Sequence, residues 1–306
     1  MLTDFANSND SAWLANADRP LTGYERIWGS VATPRSLRTR GAVEDVSAMA
    51  ARGRLTVAAC RSGSSRTGCR PVIWRRRTRR RCAALPGGTA TATATASDGG
   101  AVDVSAACGV LAGWDRTTDS TSRGALLFDR FWRRLTASTP AKDLWLVPFS
   151  AADPVRTPRT LNQAAPGIGR ALADAVAELK AAGIALDAPL GEHQFVVRGG
   201  RRLPVGGGTK ALGVWNKTEA PWNAAAGGYP EVTHGSSRIQ AVGWDGGRGP
   251  VARTLLTYSQ SSNPLSPYYA DQTRMYSEEC WVTARFCERD ILTSPKLKVV
   301  LVRERR

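Results

Sequence analysis

Two histidines, six cysteines, a cluster of asparagines near the start and a dense run of arginines are the features of this 306-residue chain that bear on chemistry. His193 and His234, with Ser236 and Ser237 close to the second, invite a Ser/His/Asp reading in which a histidine takes the proton of a serine hydroxyl. No Gly-x-Ser-x-Gly elbow accompanies them, and structural histidines are the expected outcome. Gly206-Gly207-Gly208-Thr209-Lys210 has the small residues of a phosphate cradle, but Ala211 follows the lysine where a metal-holding hydroxyl is required, so the run is read as a turn. Cys60, Cys69, Cys82, Cys108, Cys280 and Cys287 form neither a CxxC pair nor a Cys/His cluster, which argues against zinc. Free buried thiols are expected, with a Cys280–Cys287 pair left open in an oxidising compartment. Asn7, Asn9, Asp10, Asn16 and Asp18 are, by composition, turn formers whose side chains bond their own backbone.

The net charge of +16 would draw a polyanion to a basic face. Its distribution weakens that reading, because eleven arginines and no acidic residue lie between Ala51 and Cys82. The excess is therefore local. An apolar share of 42% supplies a core for one large domain or two small ones. The ten tryptophans suit a partly polar core or an acyl-binding surface. Neither a basic leader with an apolar run nor a membrane-length apolar stretch occurs, so the chain as written is expected to be soluble and unexported.

The elements that must position these residues follow from periodicity. Residues 1–41 are polar and turn-rich. Residues 42–98 pass from an Ala/Arg mixture through an arginine run to a Thr-Ala alternation, with no sustained period expected. From residue 99 onward, Val104, Ala107, Cys108 and Leu111 predict a helix from Ala101 to about Gly113. A second helix is predicted after Asp119 and Ser120, read as caps, with Leu127, Phe128, Phe131, Trp132 and Leu135 on one broad face. Leu144–Phe149 is a short apolar run. A third helix is predicted from near Pro166 through Ala171, Leu172, Val176 and Leu179 to a stop at Ala182-Gly183. Strands are predicted at Gln194–Val197, Ile239–Gly243, Val251–Tyr258 and Lys296–Val302, with Asp245–Gly249 as a hairpin loop. Helices and antiparallel strands together predict an α+β class.

Several strings, in this order, resemble the later part of the large chain of penicillin-acylase-type enzymes, in the branch that deacylates lipopeptides such as aculeacin and acyl-homoserine lactones. They are Phe5-Ala6-Asn7-Ser8-Asn9-Asp10-Ser11-Ala12-Trp13-Leu14, Pro20-Leu21-Thr22-Gly23-Tyr24 and Thr33-Pro34-Arg35-Ser36-Leu37-Arg38-Thr39-Arg40 at the start. Val110-Leu111-Ala112-Gly113-Trp114-Asp115 and Arg123–Phe128 follow in the middle, then His234-Gly235-Ser236-Ser237, Thr257–Pro264 and Ser266–Thr273. The resemblance implies a partial four-layer αββα N-terminal-nucleophile hydrolase sandwich. It also implies an amide hydrolase in which a serine freed at a chain terminus attacks the acyl carbon with its own amine as base. The second asparagine of the Asn-x-Asn string, Asn9, takes the place of the family's oxyanion donor. Arg35 takes the place of an arginine that holds that asparagine and its surroundings. The implied substrate is an acylated small molecule or lipopeptide.

By the same resemblance the serine, and the small chain that accompanies it, lie upstream of the Asn-x-Asn string. The present chain is therefore expected to need a missing N-terminal portion and to be inactive alone. No cofactor is implied; relatives can hold calcium, but no ligand set for it is matched here. Relatives are commonly periplasmic or secreted. Residues 42–98 depart from the family pattern, and their composition favours a shifted reading frame over an arginine-rich arm, so nucleic acid is not the expected partner.

Overall fold

The computed structural model describes residues 4–51, 53, 56, 57, 92–162, 164, 165, 167–244, 247 and 249–304. It is a mixed α+β chain with small antiparallel sheets, and it divides into two units. The larger contains the described residues up to Ser236. The smaller contains those from Ser237 onward together with Thr56 and Val57. All eleven arginines between Ala51 and Cys82 fall outside the described residues, as do Cys60, Cys69 and Cys82.

In the larger unit the chain opens irregularly, with a 3-10 turn at Ala12–Leu14 that buries Trp13 and Leu14. Helix α1 then spans Leu37–Ala51, so regular structure continues past residue 42. Ser36 closes the start of α1: its hydroxyl accepts the N–H of Thr39, three residues on, which satisfies one of the donors that a helix leaves unpaired there.

Strands β1 (Thr93–Thr95) and β2 (Ala101–Asp103) pair as an antiparallel hairpin. The Thr-Ala alternation, expected to carry no period, thus forms a strand, and Ala92 and Ala96 at its ends are buried. The segment around Ala101, expected to be helical, is the second strand of that hairpin, and helix α2 begins only at Ser105 and runs to Gly113. Helix α3 (Ala125–Ser138) carries Leu127, Phe128, Phe131, Trp132 and Leu135, all buried as their spacing requires. Its cap is neither Asp119 nor Ser120 but Gly124, whose φ is +102°. A side chain there would meet the Cβ and Cγ of Trp114 at 3.0 and 3.1 Å, so both the backbone angle and the close approach require glycine.

A short turn of helix, α4 (Ala141–Leu144), leads into β3 (Trp145–Val147), which pairs with β4 (Arg159–Leu161). Helix α5 (Gly167–Ala181) packs along α3 and against the first hairpin. It stops as predicted: Gly183 turns left-handed at φ +67°, and the N–H groups of Gly183 and Ile184 return to the carbonyls of Lys180 and Leu179. After α6 (Leu190–His193), β5 (Phe195–Arg198) and β6 (Arg201–Pro204) form a hairpin, and β7 (Thr218–Glu219) pairs with β8 (His234–Gly235).

The core lies between α2, α3, α5 and the first hairpin. Its rim is ionic. Glu178 on α5 takes Arg130 at 2.6 Å and also pairs with Arg134, both on α3. Asp129 takes Arg133 at 3.0 Å and the Tyr229 hydroxyl at 3.1 Å. Burial, then the Asp129 charge, holds the Tyr229 phenol well above its usual range, so it is neutral and donates to the carboxylate.

The smaller unit is a three-stranded antiparallel sheet in the order β11-β10-β9, with β9 at Arg238–Gly243, β10 at Val251–Leu256 and β11 at Val282–Ala284. Helix α7 (Asp271–Ser277) is bound to the end of β10: the Gln272 side chain accepts the N–H of Leu256 at 2.8 Å, and the fully buried Thr273 hydroxyl donates to the Thr257 carbonyl at 2.8 Å. Helix α8 is Glu288–Leu292. Lys296–Val302, expected to be a strand, is not one: Lys296 lies in a turn closed by the Leu297 N–H on the Ser294 carbonyl, and residues 297–302 join no sheet among the described residues. Cys280 and Cys287 are not disulfide-bonded, but Cys280 is exposed and Cys287 half-buried, so neither is the buried thiol expected. Cys108 is disulfide-bonded, which corrects the expectation of a free thiol there.

Truncating Leu127, fully buried on α3, to alanine should cost about 2–5 kcal/mol in urea unfolding. The same change at Leu146, 58% exposed on β3, should stay within about 0.5 kcal/mol. Equal effects at the two positions would mean that the core is not where the apolar spacing of α3 places it.

Candidate active site around Asn9

The two asparagines of the Asn-x-Asn string do different things. Asn7 behaves as its composition predicts, its side-chain oxygen accepting the Asn9 N–H at 2.9 Å in a local turn. Asn16 does likewise toward Asp18 and Arg19. The Asn9 side chain instead reaches across 29 residues, where its oxygen accepts from the Arg38 guanidinium at 2.9 Å. Asn9 itself sits at φ +58°, a left-handed conformation that asparagine tolerates better than most residues.

That contact settles the orientation of the amide. A guanidinium only donates, so the side-chain oxygen must face Arg38 and the NH2 must point the other way. The NH2 makes no hydrogen bond to a described residue, and Asn9 is exposed. The result is a neutral, oriented donor pair facing open space.

Arg38 is fixed on every side. The nitrogen that serves Asn9 also donates to the Ser8 carbonyl at 2.8 Å, and two more nitrogens converge on the Trp215 carbonyl at 3.1 and 3.2 Å. Trp215 lies beyond a 3-10 turn at Lys210–Leu212 that packs on α1, and Gly41 lets the two backbones approach. Burial pushes the Arg38 guanidinium down from its ordinary value.

Arg35 lies one layer further back. Its guanidinium pairs with Asp10 at 2.8 Å, bonds the Thr33 carbonyl at 3.1 Å and the Thr33 hydroxyl, and lies 5.8 Å from the centre of the Trp13 ring. None of these contacts reaches Asn9, whose side-chain oxygen is held by Arg38. Asp10 joins the two halves of the site, accepting from the N–H groups of Ser11 and Ser36 at 3.0 and 3.1 Å and from the Thr39 hydroxyl at 2.9 Å. Burial would raise the Asp10 carboxyl, but these bonds and the Arg35 charge outweigh it and hold the group below its ordinary value.

Beside this cluster runs an apolar groove of about 460 Å³, lined by Ser11, Trp13, Leu21, Tyr24, Trp28 and Val31 among others. The remaining candidates lie elsewhere. The His234 ring nitrogen is 3.1 Å from the Lys217 amine, and the Ser236 hydroxyl serves the Lys217 N–H. Burial lowers His193. Gly207 and Gly208 pack against the Asn216–Thr218 backbone, so the glycine run is a packing turn. Among the described residues no group of three or more His, Cys, Asp or Glu is placed to hold a metal ion, and no helix is long and apolar enough to cross a membrane.

The pattern of the penicillin amidase family matches residues 5–293, and the chain belongs to that family. It is 39% identical to the aculeacin-A acylase of Actinoplanes utahensis over 98% of its own length and 37% of the relative's. It is 29% identical to the acyl-homoserine lactone acylase PvdQ of Pseudomonas syringae pv. syringae, over 99% of its length and 38% of the relative's. The PvdQ of Pseudomonas putida is 31% identical over 98% and 36%. The chain therefore spans less than two fifths of the curated relatives it matches.

Replacing Asp10 with asparagine should cost about 1–3 kcal/mol near pH 7, the range for disrupting a charge-assisted hydrogen-bond cluster. The folded carboxyl sits below its unfolded value, so the contribution is complete above about pH 4 and fades as pH falls through the folded value. The difference in melting temperature between the wild type and Asp10→Asn should be flat from neutral pH down and narrow below about pH 4. A difference that persists undiminished to pH 2 would show that the charge of Asp10 is not what matters.

Proposed function

We propose that this chain is part of a penicillin-amidase-type acylase that removes the acyl chain from a lipopeptide, an acyl-homoserine lactone or a β-lactam by hydrolysing an amide bond. In this reading Asn9 donates its NH2 to the oxygen that becomes negative as the acyl carbon is attacked. The observation that carries it is the Asn9 amide, whose oxygen is taken by Arg38 and whose nitrogen is left without a described partner. A side-chain amide fits the task because it donates without titrating, and a fixed donor needs no reorganisation when the charge appears.

Arg35 and Arg38 act in this reading as positioning residues. Arg38 withdraws electron density from the Asn9 oxygen, which strengthens the opposite N–H as a donor. Arg35 holds Asp10, the neighbour of Asn9, and so the direction in which the asparagine leaves the backbone. The nucleophilic serine is supplied by a further portion of the enzyme, in keeping with the share of the relatives' length that this chain spans. The two units described here then belong to a larger four-layer αββα sandwich, and this chain alone is inactive.

The test is hydrolysis of an N-acyl-homoserine lactone and of aculeacin A, followed by release of the free amine. The chain alone should show none. It should gain turnover when co-expressed with the part of the Actinoplanes utahensis acylase that it does not match. Turnover by the chain alone would overturn the missing nucleophile, and an assembled complex without turnover would overturn the acylase reading. In the active assembly Asn9→Ala should lower kcat about 100- to 1000-fold with little change in KM. Arg38→Ala should fall in the same direction, and the double variant should be scarcely worse than Asn9→Ala, because both changes remove one device. Full additivity of the two losses would mean that Arg38 does not act through Asn9.

A further inference from the structure

Arg38 turns the Asn9 amide outward only while the Trp215 carbonyl keeps its place, because two of the three Arg38 nitrogens end on that one oxygen, at 3.1 and 3.2 Å. A carbonyl oxygen cannot turn apart from its peptide plane, and the plane of Trp215 continues into Asn216. Asn216 is buried, and it is held by the glycine run Gly206-Gly207-Gly208. The Gly208 N–H donates to the Asn216 carbonyl at 3.0 Å, and the Gly208 carbonyl accepts the Thr218 N–H at 3.0 Å. The Gly206 carbonyl accepts the Thr218 hydroxyl at 2.9 Å and the Asn216 side-chain amide at 3.3 Å.

The run is anchored from behind as well. The Gly207 N–H donates to the Thr118 carbonyl at 2.9 Å, and the Gly207 carbonyl accepts from the Gln194 side chain at 3.0 Å. Thr118 and Gln194 are both buried, so this side of the run has little freedom to move. Gly207 has φ +117°, which residues with a side chain rarely adopt. A Cβ there would overlap the Thr218 hydroxyl and stand 2.7 Å from the Asn216 carbonyl oxygen. Only a bare backbone lies this close beneath Asn216 and Thr218.

We propose that Gly207 is a positioning residue for Asn9. It lets the glycine run clamp the Trp215–Asn216 peptide, the Trp215 carbonyl then sets the Arg38 guanidinium, and Arg38 turns the Asn9 amide. The catalytic consequence rests on the reading of Asn9 as the oxyanion donor, whereas the relay to Arg38 rests on the geometry of this chain alone. A side chain at position 207 leaves Asn9, Arg38 and the charge of the site in place and disturbs the direction of the amide.

The first measurement uses the full 306-residue chain by itself. Exchange of the Arg38 Nε hydrogen with solvent, followed by NMR of the arginine side chains, reads the bond to the Trp215 carbonyl. Gly207→Ala should speed that exchange about five- to tenfold. Gly227→Ala is the control: Gly227 is also left-handed, at φ +74°, but a Cβ there meets nothing within 4 Å. It imposes a like backbone strain and should leave the exchange at the wild-type rate. Thr218→Val keeps the shape and removes the hydroxyl bond to Gly206, and should speed the exchange about two- to fivefold. Wild-type exchange in a folded Gly207→Ala chain, or an equal rise in Gly227→Ala, overturns the relay. If Gly207→Ala does not fold, wild-type exchange in Thr218→Val overturns it instead. In the active assembly with the remainder of the Actinoplanes utahensis acylase, Gly207→Ala should lower kcat about ten- to 100-fold with KM little changed. It should add almost nothing to the loss from Arg38→Ala, since both act through one amide, and full additivity overturns the relay. An assembly that hydrolyses no amide removes the acylase reading and leaves the exchange rates to decide the relay.

Discussion

The Asp10 carboxylate at the N-terminus of α1 is the interaction on which the candidate site depends. It meets Arg35, two backbone N–H groups and the Thr39 hydroxyl at once. It also lies where the unpaired donors and the dipole of α1 favour negative charge. Its bonds tie an irregular opening segment to a regular helix. Asn9 precedes Asp10, and Arg38 lies on the first turn of α1, so the same carboxylate fixes the distance between the amide and the guanidinium that orients it. The strained left-handed backbone of Asn9 persists because the residues on either side of it are held: Ser8 through its carbonyl by Arg38, and Asp10 through its side chain. The strain lies next to the bond that turns the amide outward.

The helices were legible in the sequence because burial imposes a period. Leu127, Phe128, Phe131, Trp132 and Leu135 could occupy one face only as a helix, and the left-handed glycine after α5 marked its stop. The boundaries set by close approach were not legible. Nothing local distinguishes Gly124, which caps α3 because the Trp114 ring lies against it, from Asp119 or Ser120, which are better caps by chemistry. At the site, the asparagine string pointed to Asn9 and the resemblance to Arg35, while nothing in the spacing singled out Arg38. Helical phase separates the arginines. Arg35 precedes α1 and turns to Asp10. Arg38 and Arg40, two residues and roughly 200° apart, leave on opposite sides: Arg38 to Asn9, and Arg40 into the interior, where it is 1% exposed and bonds the Val155 carbonyl at 2.6 Å.

Charge in this chain is used in two ways. Within the larger unit, carboxylates and guanidinia meet at the rim of the core, where Glu178 and Asp129 bind α3 to α5 and to Tyr229. Such part-buried pairs fix which faces meet more than they add net stability, because each charge gives up water to form them. The arginines between Ala51 and Cys82 have no acidic residue among them, so the net charge of the whole chain describes that stretch and not the surface around Asn9.

The exposure of Asn9 and the small share of the relatives' length bear on each other. A hydrogen-bond donor stabilises a developing oxyanion strongly only where water is excluded, because water screens the interaction and competes for the donor. In this chain Asn9 is exposed, and Tyr24 and Trp28 in the nearby groove are 62% and 75% exposed. The donor is thus oriented by Arg38 but not yet dry. Orientation is a local property, carried by the opening segment, α1 and the Trp215 carbonyl, and it is complete in this chain. On the proposed function, exclusion of water would fall to whatever covers the Trp13–Trp28 groove in a longer enzyme. In that reading this division leaves the orientation of the Asn9 amide to this chain and the exclusion of water to the part of the relatives' length that it does not span.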